Sequence, residues 1–398
     1  MMNAKVIKLV NEARWGDGQI VRSRLDDITY NPMRSQKEFV IRLVRENAKT
    51  VYGLANSFKN ITTMEDFRKY VPLTEYADYL PYLEQIANGE RNILTAYLTE
   101  HISTFDGYKR LPQSRWSVQT SYDYSFSAAF YLAGNSGYLT EGMTLNLVDH
   151  HVERLPSGIN MGNLLGRLLV KRDYDNSQVY VMPVDAHDSL DRADSLYLQA
   201  LYALRQKDIS VAICDHYENM VELLRYIEKH WPRLAEDIEQ GNTIVEPDPE
   251  RANVIREVME PHHIGSQIVE QLWPGLHCVM VYDVDCLSAS FELLRTYCGS
   301  NVHFIFNGIS TPEGTFTTAV NLDDPQTVLI PDGAFYEFKP KELPSYSQLL
   351  TLDQLEIGRS YELIATTMAG LYRYKTHKHF LVVGRYHDTP TVIADAAD

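Results

Sequence analysis

Residues 361–387 read YELIATTMAGLYRYKTHKHFLVVGRYH, and this stretch decides the fold. Two apolar, β-branched-rich segments, Glu362–Met368 and Phe380–Val383, flank a polar centre, Tyr372-Arg373-Tyr374-Lys375. The pattern predicts strand, short turn, strand. Such a hairpin at the edge of a large α/β domain is a place where backbone and charged side chains converge on a ligand. An ordinary surface hairpin with solvated basic residues has the same pattern.

Working outward, Thr327–Phe338 (TVLIPDGAFYEF) predicts two strands joined by Pro331-Asp332-Gly333, where Pro fixes φ and Gly accepts φ > 0. His277–Tyr282 and Val302–Phe306 are short apolar strands around a helix over Leu287–Tyr297, a βαβ unit. Ser195–Lys207 predicts a helix, Ile209–Cys214 a buried strand and Tyr217–His230 the next helix. That succession argues for a mixed or parallel sheet covered on both faces. Trp231–Pro261 is acidic and helical, expected as a solvent-facing excursion. Leu145–Val148 and Gln178–Met182 predict strands, with a Gly-containing loop at Pro156–Asn163 between them. Trp116–Tyr138 predicts a core helix and a turn at Gly134–Gly137. Ser35–Tyr52 has helical spacing with Gly53 as its stop. Met64–Asn88 is helical, broken at Pro72, restarted at Thr74 and Glu75 and closed by Gly89. One large domain over residues 1–398 is expected, with residues 1–60 a helical segment packed on it.

Hydrophobic residues at 44% with 23% charged mark a folded chain able to bury a large core. A net charge of −16 disfavours nonspecific binding to nucleic acid or an anionic membrane. The N-terminus lacks an apolar core with a cleavage site, and no segment approaches a membrane-spanning run, so a cytoplasmic location is expected. Cys214, Cys278, Cys286 and Cys298 are widely spaced without a CxxC pair, which suits free thiols.

Three clusters carry possible ligand chemistry. In Thr99–Pro112 (TEHISTFDGYKRLP), Ser103, Thr104, Gly107 and Lys109 could cradle a phosphate, although Asp106 adds an opposing charge; a plain polar hairpin has the same composition. Asn307–Phe316 (NGISTPEGTF) follows a strand, where open α/β sheets place ligands, and Glu313 could reach a metal or a ribose there; a solvated turn on Pro312 and Gly314 is the plainer reading. The third is the 361–387 hairpin, whose turn carries His377, Lys378 and His379 and no carboxylate. Histidines two apart share a strand face, but no third metal ligand is evident. Asp149-His150-His151 and His262-His263 read as surface histidines. There is no nucleophile elbow, GxxxxGK[ST] loop or GxGxxG after a strand.

Together these clusters resemble the Gretchen Hagen family of acyl-acid amido synthetases, a branch of the adenylate-forming superfamily. The resemblance runs through DFRKYVPLTEYADYLPYLEQIANGE (Asp66–Glu90), DSLYLQALYALRQKDISVAICDHY, LWPGL, FNGISTPEG, LIPDGAFYEF and IGRSYELIATTMAGLYRYK, almost the whole chain. It implies an adenylate-forming, acyl-CoA synthetase/luciferase-like large domain, with mixed sheets covered by helices. It also implies a two-step ligase that uses ATP and Mg2+: a carboxylic acid is adenylated, an amine then displaces AMP, and a small C-terminal lid closes over the site.

This sequence departs from the family's pattern at its points of chemistry. The phosphate loop STFDGYK is shorter, with Lys109 matching its terminal lysine. In ISTPEG, Glu313 and Gly314 match, whereas the adenine-stacking tyrosine is replaced, with Ile309 or Phe306 near its place. Tyr372, Arg373, Tyr374 and Lys375 keep the first half of the third motif, and His377 and Lys378 stand where it has Gly-Asp. The lid is expected to be absent. By resemblance the nucleotide positions are Ser103, Thr104, Lys109, Ser310, Thr311, Glu313, Tyr372, Arg373 and Lys378; no catalytic residue or metal ligand is assigned. The expected function is that of a non-catalytic or auxiliary homologue that binds a small carboxylic acid or a protein partner such as a full-length homologue. The alternative is an active ATP-dependent ligase, with a lid supplied in trans.

Overall fold

The computed structural model describes residues 4–105, 109–148, 152–173, 179–183, 192–260, 267–282 and 289–395. The 361–387 stretch lies inside a sheet and not at its edge. Strands Ser360–Thr367 and Tyr374–Tyr386 pair antiparallel within a six-stranded sheet. Its order is Thr317–Ala319, Thr327–Leu329, Thr389–Asp395, Tyr374–Tyr386, Ser360–Thr367, Ala334–Pro340. Tyr361, Leu363, Phe380 and Val382 are almost wholly buried, each stabilising the sheet by about 1.5–3 kcal/mol through burial.

The turn expected at Tyr372–Lys375 falls earlier, before Tyr374 resumes the strand. It uses left-handed backbone at Gly370 (φ 96) and Arg373 (φ 49). A side chain at Gly370 would press on Leu94 Cβ, 2.7 Å away, so glycine serves both the conformation and the close approach. Pairing then slips from Ile364↔Lys375 to Glu362↔His379, leaving extra residues bulged in the longer strand, with His377 at φ 56.

Thr327–Leu329 and Ala334–Pro340 flank Pro331-Asp332-Gly333 as expected, but they pair with different strands and not with each other. Gly333 does not enter the left-handed region.

A second sheet is all parallel, in the order Met143–Asn146, Ile209–Cys214, Cys278–Val281, His303–Phe306. Its near-continuous apolar runs reflect cover on both faces. Helices Arg192–Arg205, Tyr217–Gln240, Pro249–Met259 and Ala289–Cys298 complete this layer. The expected solvent-facing excursion at 231–261 is corrected: the helix from Tyr217 runs through Pro232 to Gln240, and Leu234, Ala235, Ile238, Ala252 and Ile255 are fully buried. Apolar residues three and four apart set the buried face even where composition is acidic.

A third, four-stranded sheet joins Lys109–Ser114, Thr99–Phe105, Asn160–Gly162 and Val152–Arg154. The loop expected at Pro156–Asn163 therefore contains a strand. The strand expected at Gln178–Met182 reduces, in its described part, to a single bridge from Tyr180 to Thr144.

Helices occupy Ala4–Thr29 and Pro32–Glu46, the first packing on Ala128–Asn135. Gly53 is not the stop of a helix but part of a short one, Val51–Ala55, where any Cβ would collide with the Asn47 carbonyl. Helices Met64–Tyr70 and Tyr76–Ala87 match the break expected at Pro72. The core helix expected over 116–138 is two helices, Arg115–Tyr122 and Ala128–Asn135, joined by a π-helical turn at Asp123–Ser127. Thr318 Oγ1 donates to the Tyr124 carbonyl (2.7 Å) and Tyr282 Oη to the Ser125 carbonyl (3.1 Å), fixing that turn. Cys214, Cys278 and Cys298 are free and buried, and Cys286 lies outside the described residues. Among the described residues no helix is long and apolar enough to cross a membrane.

Candidate functional site

Lys109 begins the second strand of the Thr99–Ser114 hairpin, Glu313 caps the tight turn between Ser310–Thr311 and Gly314–Thr315, and Tyr374 begins its long strand. The fold brings them together: Lys109 Nζ lies 3.5 Å from Glu313 Oε1 and 3.4 Å from Tyr374 Oη, across 204 and 265 residues of sequence. Burial alone would lower the Lys109 ammonium, but the Glu313 carboxylate and Tyr374 hydroxyl outweigh it and hold the pKa above its ordinary value. Burial, followed by the Glu313 charge, raises the Tyr374 phenol.

The turn that carries Glu313 is braced. Gln113 Nε2 donates to the Pro312 carbonyl (2.6 Å), Ser125 Oγ to Ser310 Oγ (3.3 Å), and Ser310 shares a hydrogen bond with Thr315 Oγ1 (2.8 Å). Thr311 Oγ1 donates to the Gly314 carbonyl. Ser103 lies on the hairpin face of Lys109 and Gln113, since alternate residues of a strand share a face and Ser103 pairs with Leu111. Thr104 points to the opposite face.

Ser103 Oγ, Gln113 Oε1, Thr367 Oγ1 and the amide oxygen of Asn307 are buried without a hydrogen-bond partner among the described residues. The Tyr282 hydroxyl donates to the Ser125 carbonyl and is approached by the Asn307 side chain, a contact that lowers the phenol against the larger push of burial. Such orphaned groups are rare in folded proteins, and a polar ligand or water would satisfy them. Asn307 directly follows the His303–Phe306 strand, the carboxyl edge where ligands settle in open α/β sheets.

The other expected positions are committed elsewhere. Tyr372 is fully buried, donates to the Leu94 carbonyl (2.8 Å) and stacks on Tyr52 (4.7 Å). Arg373 Nε and Nη2 grip both oxygens of Glu337 (2.7 and 2.9 Å), while Nη1 donates to the carbonyls of Arg68 and Val71. Its donors are thus spent on holding the fold. Arg68 Nε also lies 3.0 Å from Glu337 Oε1, off the hydrogen-bond direction. Lys378 sits in the bulge, its N–H donating to Thr376 Oγ1 (3.2 Å). His377 Nδ1 is 3.4 Å from the buried Glu362, which also accepts from Tyr346 and Lys339. Lys375 pairs with Glu75 (2.8 Å).

Among the described residues no group of three or more His, Cys, Asp or Glu side chains is placed to hold a metal ion. The expected surface histidines at 150–151 and 262–263, and the loop residues Asp106 and Gly107, lie outside the described residues. For a nucleotide the fit is divided: Lys109 and the orphaned polar atoms suit a polar or anionic group, whereas Lys378, which the resemblance aligns with a ribose-holding carboxylate, carries donors and no acceptor.

Sequence reasoning missed Ser125, Gln113 and Asn307. Gln113 was visible in principle, because it alternates with Leu111 and Lys109 on one strand face. Ser125 was not, because a π-helical turn sets its direction.

His101, opposite Gln113, is fully buried, and burial pushes its imidazole down to about 4 against a smaller pull from the Gly162 carbonyl. A depressed histidine contributes stability that is complete above its unfolded value, near 6.5, and is lost as pH falls towards 4. The loss should reach roughly 3 kcal/mol. Urea titrations between pH 7 and 4.5 should show this slope and a flatter one for His101→Phe; equal slopes would refute the assignment.

Residues 21–303 match the GH3 family N-terminal domain, and residues 327–394 the GH3 family central domain. The chain belongs to the GH3 family. Indole-3-acetic acid-amido synthetase GH3.3 of Arabidopsis thaliana is 24% identical over 407 residues, covering 92% of this chain and 67% of that one. The 4-substituted benzoates-glutamate ligase GH3.12 of the same plant is 24% identical, with 92% and 69% covered. The solved GH3.15 acyl acid amido synthetase has a TM-score of 0.81 at 22% identity, covering 94% of this chain and 69% of that one. In complex with 2,4-DB the TM-score is 0.83 at 21% identity, with 95% and 70% covered. The GH3 fold expected from the sequence is thus the fold observed.

Proposed function

We propose that this GH3 protein binds a small carboxylic acid at the Lys109–Glu313 junction and has lost most of the nucleotide affinity of an amido synthetase, acting as an auxiliary homologue in the cytoplasm. In this reading residues 1–398 work as one large domain. The observation that carries it is Lys378: a side chain with three donors and no acceptor, seated in a bulge at the position where the family's pattern has its ribose-holding carboxylate. Each lost hydrogen bond to a sugar hydroxyl weakens binding by roughly 1–3 kcal/mol. Arg373, saturated by Glu337, cannot compensate.

Calorimetric titration with Mg–ATP should detect no micromolar binding, and micromolar binding would overturn the reading. Lys378→Asp should tighten ATP by roughly tenfold or more by restoring an acceptor. Thermal-shift screening of aromatic and fatty acids should find stabilising carboxylates that lose their effect in Ser103→Ala.

A second reading is an active ATP-dependent acid–amine ligase. It is favoured by the meeting of Lys109, Glu313 and Tyr374 from three separate motifs. Acid-dependent pyrophosphate exchange would establish it over the first.

A further inference from the structure

A groove of about 480 Å³ lies behind the Thr99–Ser114 hairpin, between it and helix Tyr76–Ala87. This volume falls within the range of small-molecule sites, about 300–1,000 Å³. Ile102, Arg110 and Pro112 line it. They alternate along their strands with Ser103, Lys109 and Gln113, so the groove is on the face opposite the Lys109–Glu313 junction.

Its walls mix apolar side chains, among them Leu80, left 50% exposed, with polar ones such as Asn88. Two opposite charges also line it, Glu84 on the helix and Arg110 on the hairpin. Neither side chain makes an ion pair or hydrogen bond with another described residue. A neutral apolar ligand would leave both charges unmatched, and a simple carboxylate would leave Glu84 facing a second negative group.

We propose that this groove binds a small zwitterion with an apolar side chain, a free amino acid of the leucine type. Its carboxylate meets the Arg110 guanidinium, its ammonium meets Glu84, and its side chain covers Leu80 against Ile102 and Leu155. The occupant bears on the opposite face through the backbone. The Arg110 N–H donates to Tyr76 Oη (2.9 Å), clipping the hairpin to the helix, and the preceding residue is Lys109. An occupant of the groove therefore lies against the strand that presents Lys109 to Glu313. This holds whether or not the junction itself binds nucleotide.

The test is calorimetry on the full chain with L-leucine, with leucinamide, which lacks the carboxylate, and with 4-methylpentanoate, which lacks the ammonium. Leucine should bind, and each analogue should bind roughly tenfold or more weakly. Arg110→Ala should erase the preference over leucinamide, and Glu84→Ala the preference over 4-methylpentanoate. Both residues are exposed, so both variants should fold. The proposal is overturned if leucine fails to bind, if 4-methylpentanoate binds as tightly, or if leucine affinity survives both substitutions.

Discussion

Replacing Arg373 with alanine will destabilise the protein by roughly 3–5 kcal/mol, because it leaves the Glu337 carboxylate buried and without its main counter-charge. Glu337 is 1% exposed, so water cannot take over the lost contacts. The same substitution strands the carbonyls of Arg68 and Val71, which accept from Nη1 and tie the helix Met64–Tyr70 to the turn before Tyr374. Lysine will rescue little, since one ammonium cannot reproduce a bidentate fork and two further donors. Glu337→Ala should be equally damaging. Replacing both partners with apolar residues of similar volume, Arg373→Met with Glu337→Leu, should recover much of the loss. Denaturant unfolding of the two single variants and the double variant checks this. Arg373→Ala falling within 1 kcal/mol of wild type would mean that the guanidinium is dispensable to the fold and free for a ligand.

That outcome bears on what the sequence made legible. The Tyr-Arg-Tyr-Lys centre is visible as a motif, and its resemblance identifies the family. Its division of labour is not visible, because Arg373 is reached by Glu337 from a neighbouring strand and by carbonyls some 300 residues away. The βαβ unit and the Ile209–Cys214 strand are legible because buried parallel strands are continuous apolar runs, with no alternation to misjudge.

The 231–261 segment is misleading for the converse reason. Composition reports the acidic outer face of two helices, while the inner face is carried by a few residues at helical spacing. The bulge at His377 depends on register between strands, which no local pattern encodes. At the candidate site, Lys109 and Glu313 are legible as motif residues, but their pairing is a product of topology. Ser103 is legible as a motif residue too, whereas the buried Gln113 becomes notable only when its unpartnered amide oxygen is counted.

The Lys109–Glu313 pair sharpens this into a second result: Lys109→Ala will cost about 3 kcal/mol near neutral pH, at the low end for a buried pair because the lysine retains some exposure. The penalty will depend on pH in a direction fixed by Lys109. A group whose folded pKa is raised contributes full stability below the unfolded value and loses it as pH rises through the folded one. The Lys109 ammonium is raised by Glu313 and Tyr374 against the pull of burial, so its contribution in wild type is complete below about 10.4 and fades above the folded value, while the alanine variant has no such group to lose. Urea unfolding of both proteins at pH 8 and pH 11 separates the cases: the gap between them should be smaller at pH 11. A gap that does not change with pH would mean that the ammonium charge adds nothing to the pair and that the penalty is the lost packing of the lysine stem, which would leave the junction without an electrostatic hold on Glu313.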